Sequence, residues 1–155
     1  MSNLLVNTRD QKFLLYEQIG IDKLFGFEKY ADYSREVVDM VLSEAEKMAV
    51  EVIAPTLEEG DKEGAQFKDG KAYAPACFHE PFKTFSEAGW ICATKDPEVG
   101  GQNMPISVHT ACWELFAAAH MAFSMYPSLT TGAAGLIDAW GTEGQKNKYM
   151  YRMYT

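Results

Sequence analysis

Apolar residues recur at steps of three and four in the clearest segment of this chain. From Ser34, the stretch SREVVDMVLSEAEKMAVEVIAP places Val38, Val41, Leu42, Ala45, Met48, Ala49, Val52 and Ile53 on one stripe, the signature of an amphipathic helix. Ser34 is its candidate N-cap, and Glu36 puts negative charge in the first turn, where the helix dipole favours it. Pro55 has no amide proton, so it is expected to kink or end the helix, with TLEEGDKEG as a solvated, charged exit. Residues 62–75 read as a Gly- and Lys-containing loop. Phe78, Phe82 and Phe85 then stand at helical spacing, with Pro81 in a first turn and Gly89 as the stop. WICATKDPEVGGQNMP reads as a short extended piece and a loop.

Pro105 is expected to open a long helix to about Met125, and Pro127 another to Trp140. Thr142 stands three residues before Gln145, the spacing in which both side chains satisfy free amides at a helix start. That last helix carries Tyr149, Met150 and Met153 at apolar positions, and its KYMYRMY segment is expected to be sticky or disordered. Ahead of all this, DQKFLLYEQIGIDKLFGF has short helical potential broken by Gly20 and Gly26. With strand signals almost absent, the pattern predicts an all-α helical bundle of five or six helices.

Composition narrows the class. The 155 residues suit one domain with a real core, and 47% hydrophobic with 23% charged residues is an ordinary globular mixture. Acidic residues outnumber basic ones by 22 to 14, and no basic block occurs, so nucleic acid is not an expected partner. Three cysteines (Cys77, Cys92 and Cys112) form no C-x-x-C pair, which fits reduced thiols and a cytoplasmic location. The most apolar stretch, LFAAAHMAFSMY at 115–126, is too short for a membrane span, which needs about 20 residues.

Candidate chemistry on the residues alone is sparse. His109, Cys112 and His120 invite a metal reading, but the eleven residues between the two histidines rise roughly 16 Å along a helix, so they cannot share one ion. Gly100-Gly101 lacks the strand, glycine spacing and helix of a phosphate loop. The segment AAAHMAFSMYPSLTTGAAGL, residues 117–136, reads first as a tightly packed helix pair. Its second reading is an apolar slot with the hydroxyls of Ser124, Thr130 and Thr131.

Four blocks in this order resemble the N-terminal helical domain of the acyl-CoA dehydrogenases. They are VLSEAEKMAVEVIAPTLEEGDKEG (41–64), FKTFSEAGWICATKDPEVGGQNMP (82–105), ELFAAAHMAFSMYPSLTTGAAGLIDAWGT (114–142) and GTEGQKNKYMYRM (141–153). The lead-in is similar to the N-terminal extension of the 3-methylmercaptopropionyl-CoA dehydrogenase-like branch. The resemblance implies an extension over residues 1–33 and the helical domain over 34–155, with a middle β-domain and a C-terminal helical domain absent from these residues. It implies a parent enzyme that uses FAD to desaturate an acyl-CoA thioester between its α and β carbons. There a carboxylate takes the α proton and the flavin accepts hydride from the β carbon. By the same resemblance Phe123, Ser124, Tyr126, Pro127, Thr130 and Thr131 form one wall of the acyl pocket, in a steric and orienting role. No catalytic residue is expected in this chain, and Glu80, Glu87 and Glu114 are rejected as bases. The implied partners are the thioester, an electron-transfer acceptor and further copies of the protein. Two other classes stay open: a helical scaffold or interaction domain without activity, and an acyl-CoA binder without chemistry.

Overall fold

Among the described residues helix starts where Asn7 accepts from the Arg9 amide, an N-cap that the lead-in reading did not anticipate. In the computed structural model, which describes residues 5–154, the first helix α1 covers residues 8–19. It is an α-helical turn, Thr8–Lys12, continued by a widened stretch, Phe13–Ile19. Gly20 ends it at φ +66°, a conformation that favours glycine. Tight turns at Ile21–Gly26 and Glu28–Tyr30 lead on to the next element, and Leu15 and Ile21 are already buried in the common core.

Helix α2 begins as read, with Ser34 Oγ accepting from the Val37 amide and the stripe residues Val38, Leu42, Ala45, Ala49 and Ile53 all buried. Pro55 does not end it. Arg35–Lys47 runs into a widened stretch, Met48–Ile53, then a tight turn, Ala54–Thr56, and α-helix resumes over Leu57–Glu63. The proline sits in the tight turn, where its missing N–H is tolerated, and the Thr56 hydroxyl donates back to the Ile53 carbonyl at 2.7 Å. The segment read as a solvated exit is therefore helical, and its Gly60 is buried.

The expected loop over 62–75 holds a hairpin: β1 (Gln66–Lys68) pairs antiparallel with β2 (Lys71–Tyr73) in the register Gln66 to Tyr73. Asp69 and Gly70 both have positive φ, 52° and 76°, the geometry of a two-residue turn whose hand matches the strand twist. A tight turn, Ala76–Phe78, then starts α3 (His79–Glu87), which Gly89 stops at φ +79°. The extended piece expected after Trp90 is a series of turns, ending in a one-turn helix at Pro97–Val99.

The long helical run α4, Ile106–Trp140, is broken at His120 (φ −163°, ψ 96°), not near Met125 and Pro127. Pro127 is buried within the second arm, where it removes one intrahelical hydrogen bond. The break coincides with a ring tied to another helix, since His120 Nδ1 lies 2.9 Å from Thr56 Oγ1. Helix α5 (residues 143–154) opens with the anticipated reciprocal cap between Thr142 and Gln145. It is ordered helix that buries Met150 and Tyr154 against α4, so the KYMYRMY segment is part of the core and not a loose tail.

The architecture is the all-α bundle that the pattern predicts, with a small hairpin added. Helices α2 and α5 lie on α4, and the buried side chains of the first α4 arm form the centre: Val108, Cys112, Leu115, Phe116 and Ala119. Phe116 meets Phe85 and Trp90 edge to face, each with ring centroids 5.0 Å apart.

Candidate functional site

The break in α4 brings the end of α2, the start of α3 and the second α4 arm together around Phe78. Gly60 lets Phe78 and the His120 ring approach the α2 backbone closely; a Cβ there would meet Phe78 Cε1 at 2.5 Å. The Phe78 ring stands edge-on to His120, Phe123 and Tyr126, at centroid distances of 5.0, 5.5 and 5.8 Å. The Thr56 hydroxyl lies 2.7 Å from the Ile53 carbonyl and 2.9 Å from His120 Nδ1, so one buried oxygen ties the α2 turn to the break in α4. Burial holds the His120 pKa below the ordinary imidazole value, against the opposing charge of Asp61.

Beside this aromatic cluster lies a recess of about 320 Å³ lined by Ala74, Phe78, His79, Phe82, Phe123 and Tyr126. Its walls are aromatic, which suits an apolar ligand portion. Tyr126 is part-exposed at the recess, and the second arm continues as an apolar face: Met121, Met125, Leu129, Leu136 and Trp140 are exposed, Trp140 by 85%.

The six residues marked out in the sequence divide between two stripes of that arm. Phe123 and Tyr126 line the recess. Ser124 and Pro127 are buried, and the Ser124 hydroxyl has no hydrogen-bond partner among the described residues. Thr130 donates to the Tyr126 carbonyl at 2.9 Å, and Thr131 to the Ile91 or Pro127 carbonyl, each at 2.9 Å. Both threonine protons are thus engaged with backbone. Phe78, Phe82, Ala74 and His79 complete the recess and were missed. The sequence signal for them was present in the spacing of Phe78 and Phe82, but their convergence with Phe123 depends on the break at His120.

None of the carboxylates weighed as bases borders this recess. Glu80 and Glu87 are exposed on α3, and Glu114 accepts from Gln11 Nε2 at 2.8 Å on the first α4 arm. Among the described residues, no group of three His, Cys, Asp or Glu side chains is gathered to hold a metal ion. Burial pushes the Cys112 thiol up to about 12, which makes it a poor nucleophile.

Three known proteins are similar to this chain over nearly its whole length. The 3-methylmercaptopropionyl-CoA dehydrogenase of Ruegeria pomeroyi is 27% identical over 147 residues, covering 95% of this chain and 25% of its own. The broad-specificity linear acyl-CoA dehydrogenase FadE5 of Mycobacterium tuberculosis is 32% identical over 148 residues, covering 94% of this chain and 24% of its own. A butyryl-CoA dehydrogenase of Syntrophomonas wolfei is 29% identical over 157 residues, covering 99% and 26%. The chain spans about a quarter of the length of these curated relatives. Residues 35–155 match the family described as acyl-CoA dehydrogenase, N-terminal domain. On that match, and on the helical fold that carries it, the chain belongs to the acyl-CoA dehydrogenase family through its N-terminal domain.

Proposed function

We propose that residues 34–155 are the N-terminal helical domain, behind an extension of residues 1–33, of an FAD-dependent enzyme that desaturates an acyl-CoA thioester. The observation that carries this reading is the aromatic recess between α3 and the second α4 arm, opening beside an exposed apolar helix face in a chain of this family. Phe78, Phe82, Phe123 and Tyr126 would bound the acyl chain by shape; Ser124, Pro127, Thr130 and Thr131 would hold the wall from behind. No proton transfer is assigned to any of them. Soluble acyl-CoA, an electron-transfer acceptor and further copies of the protein are the partners of this reading, with a cytoplasmic setting.

The Gly100-Gly101 turn does not fit the diphosphate of a flavin, whose bound form supplies the hydride acceptor in this chemistry. The Gly100-Gly101 turn is closed onto its own backbone, since a Cβ on Gly101 would lie 1.9 Å from the Lys95 carbonyl oxygen. The nearest lysines, Lys95 and Lys146, lie toward the Asp138 carboxylate, at 3.7 and 4.0 Å. We therefore assign FAD and the base to other parts of a longer protein.

A second reading, a helical interaction domain without activity, draws on the exposed Met121, Leu129, Leu136 and Trp140. The product of the complete reading frame, compared with the 155-residue chain, separates the two. The expected outcome is a yellow longer product that reduces an artificial acceptor with acyl-CoA, and a colourless, inactive short chain. In the longer product Tyr126→Ala should change the preference between short and long acyl chains about tenfold, the scale for adding or removing pocket volume. Stoichiometric flavin in the short chain would refute the cofactor assignment. A full product without acyl-CoA oxidation would favour the interaction domain.

A further inference from the structure

The recess between α3 and the second α4 arm is the open end of an ordered series of rings. From the centre of the fold outward, Trp90 meets Phe116, Phe116 meets Phe85, and Phe85 meets Phe123. Phe123 then meets Phe78, and Phe78 meets Tyr126. All five contacts are edge to face, with interplanar angles from 74° to 87° and centroid distances from 5.0 to 6.2 Å. In each, the electron-poor edge of one ring lies against the electron-rich face of the next. The ladder stops at the recess with Tyr126, which is 39% exposed.

The rest of the lining continues the theme. Five of the six side chains around the recess carry rings, and the sixth is Ala74. Phe78 and Phe123 are nearly covered and form its floor, so a ligand meets chiefly His79, Phe82, Tyr126 and Ala74, which are exposed or half-buried. Among the described residues, neither Phe82 nor His79 makes a ring contact of its own. The volume of about 320 Å³ is about twice the roughly 150 Å³ that suffices to hold benzene in an apolar protein cavity. It therefore has room for one six-membered ring and a few further carbons.

We propose that the recess takes an acyl group ending in an aromatic ring, in preference to a linear chain. The inference rests on the reading of the recess as part of the acyl pocket, and it names the class of acyl group. The aryl ring extends the ladder by one member, against Tyr126 and the unpartnered Phe82. A planar ring brings its contact area with few torsions to immobilise, whereas a linear chain of equal area has several to freeze. A saturated ring of the same size offers the apolar area but lacks the oppositely charged face and edge that the ladder presents.

The test titrates the 155-residue chain with three alcohols that carry no CoA: 3-phenylpropan-1-ol, 3-cyclohexylpropan-1-ol and 1-octanol. Affinity is read by NMR from the Ala74 methyl, labelled with carbon-13 and assigned through Ala74→Gly, which localises binding to the recess. Transfer from water favours the cyclohexyl ring, the less polar of the two, so a preference for phenyl reports ring-on-ring contact. The phenyl alcohol is expected to bind about fivefold more tightly than either of the others, the middle of the range for paired rings beyond their area. Phe82→Leu and Tyr126→Leu each keep an apolar wall and remove one ring. Each should shrink the preference to about twofold, with the cyclohexyl affinity retained. A circular dichroism melt confirms the fold, and the part-exposed Tyr126 keeps the test open should Phe82→Leu unfold. Equal or tighter binding of the cyclohexyl alcohol or of octanol would overturn the aryl class and leave the acyl wall standing. An Ala74 methyl that none of the three alcohols moves would overturn both.

Discussion

Gly60→Ala is the sharpest probe of how the aromatic recess is held. Gly60 lies in the last α-helical segment of α2, where an exposed glycine would gain about 1 kcal/mol on becoming alanine. Here the added methyl would stand 2.5 Å from Phe78 Cε1, 2.9 Å from Phe78 Cζ and 2.9 Å from His120 Cε1. Two of those contacts are on a ring locked edge-on between three other rings, so it cannot swing away without opening the cluster. Overpacking of this kind costs about 1–3 kcal/mol, and it outweighs the helix gain by about 1 kcal/mol at the middle of that range. At roughly 2–4 °C per kcal/mol for a chain of this size, the melting temperature should fall by a few degrees. The assay is a thermal melt, paired with the same change made in a Phe78→Leu background. There the cost of the methyl should shrink by about 1 kcal/mol, since the ring atoms it strikes are gone. A Gly60→Ala protein that melts higher than the parent, with no coupling to Phe78, would refute this account of the packing.

Other consequences are open to direct measurement. Burial lowers the pKa of both His109 and His120, so their contribution to stability is full above the unfolded value of about 6.5 and is lost as pH falls below it. Urea midpoints should drop between pH 7.5 and 5. His120→Asn, which keeps a donor to Thr56 but cannot titrate, should flatten part of the drop; an unchanged profile would exclude His120 as a source. Tyr16 donates to Asp39 at 3.0 Å and stacks under Arg35, whose guanidinium pairs with Asp22. Tyr16→Phe should cost about 1 kcal/mol in urea unfolding. Desolvation raises the Tyr16 pKa, followed in effect by its bond to Asp39, so stability held below pH 10 should decline above it in the parent more than in Tyr16→Phe. Thr142→Ala removes the reciprocal cap of α5 and should cost about 1 kcal/mol, read as faster amide exchange across residues 143–154. A fragment starting at residue 34 should unfold at far lower urea than the full chain, because it uncovers the apolar surface that Leu15 and Ile21 cover.

Local signals were legible wherever chemistry and geometry are both local. The Ser34 cap, the Gly89 stop and the Thr142–Gln145 reciprocal cap each depend on residues within about one turn, the α2 stripe on a spacing repeated along one helix, and each is found as read. The hairpin was also written locally, in Asp69-Gly70, but the surrounding lysines and exposed residues obscured any alternation that would have marked strands. Features decided by distant contacts were not legible. Proline propensity favoured a boundary near Pro127, whereas the chain breaks at His120, whose ring reaches Thr56 sixty-four residues away. The continuation of α2 past Pro55 likewise depends on burying Gly60 against Phe78 and His120. For the recess, Phe78 and Phe82 come from the turn before α3 and from α3 itself, which no single-helix pattern on residues 117–136 could supply.

The boundary near residue 33 illustrates the difference between a family segment and a folding unit. Family matching begins at residue 35, and composition alone marks what precedes it as a lead-in. Energetically the two parts are joined. Leu15 and Ile21 are buried in the same apolar core as Val38 and Leu115, and full burial of one such side chain contributes about 1.5–3 kcal/mol. Gln11 bonds a carbonyl and a carboxylate on the central helix, and Tyr33 donates to the Gln102 carbonyl at 3.0 Å. Against a total stability of roughly 5–15 kcal/mol for a domain, two buried aliphatic residues already account for a large share. Residues 5–33 are therefore part of what holds α4 in place. Because α4 carries part of the recess wall, Phe123 and Tyr126, the early helix bears on that site through the position of that one run.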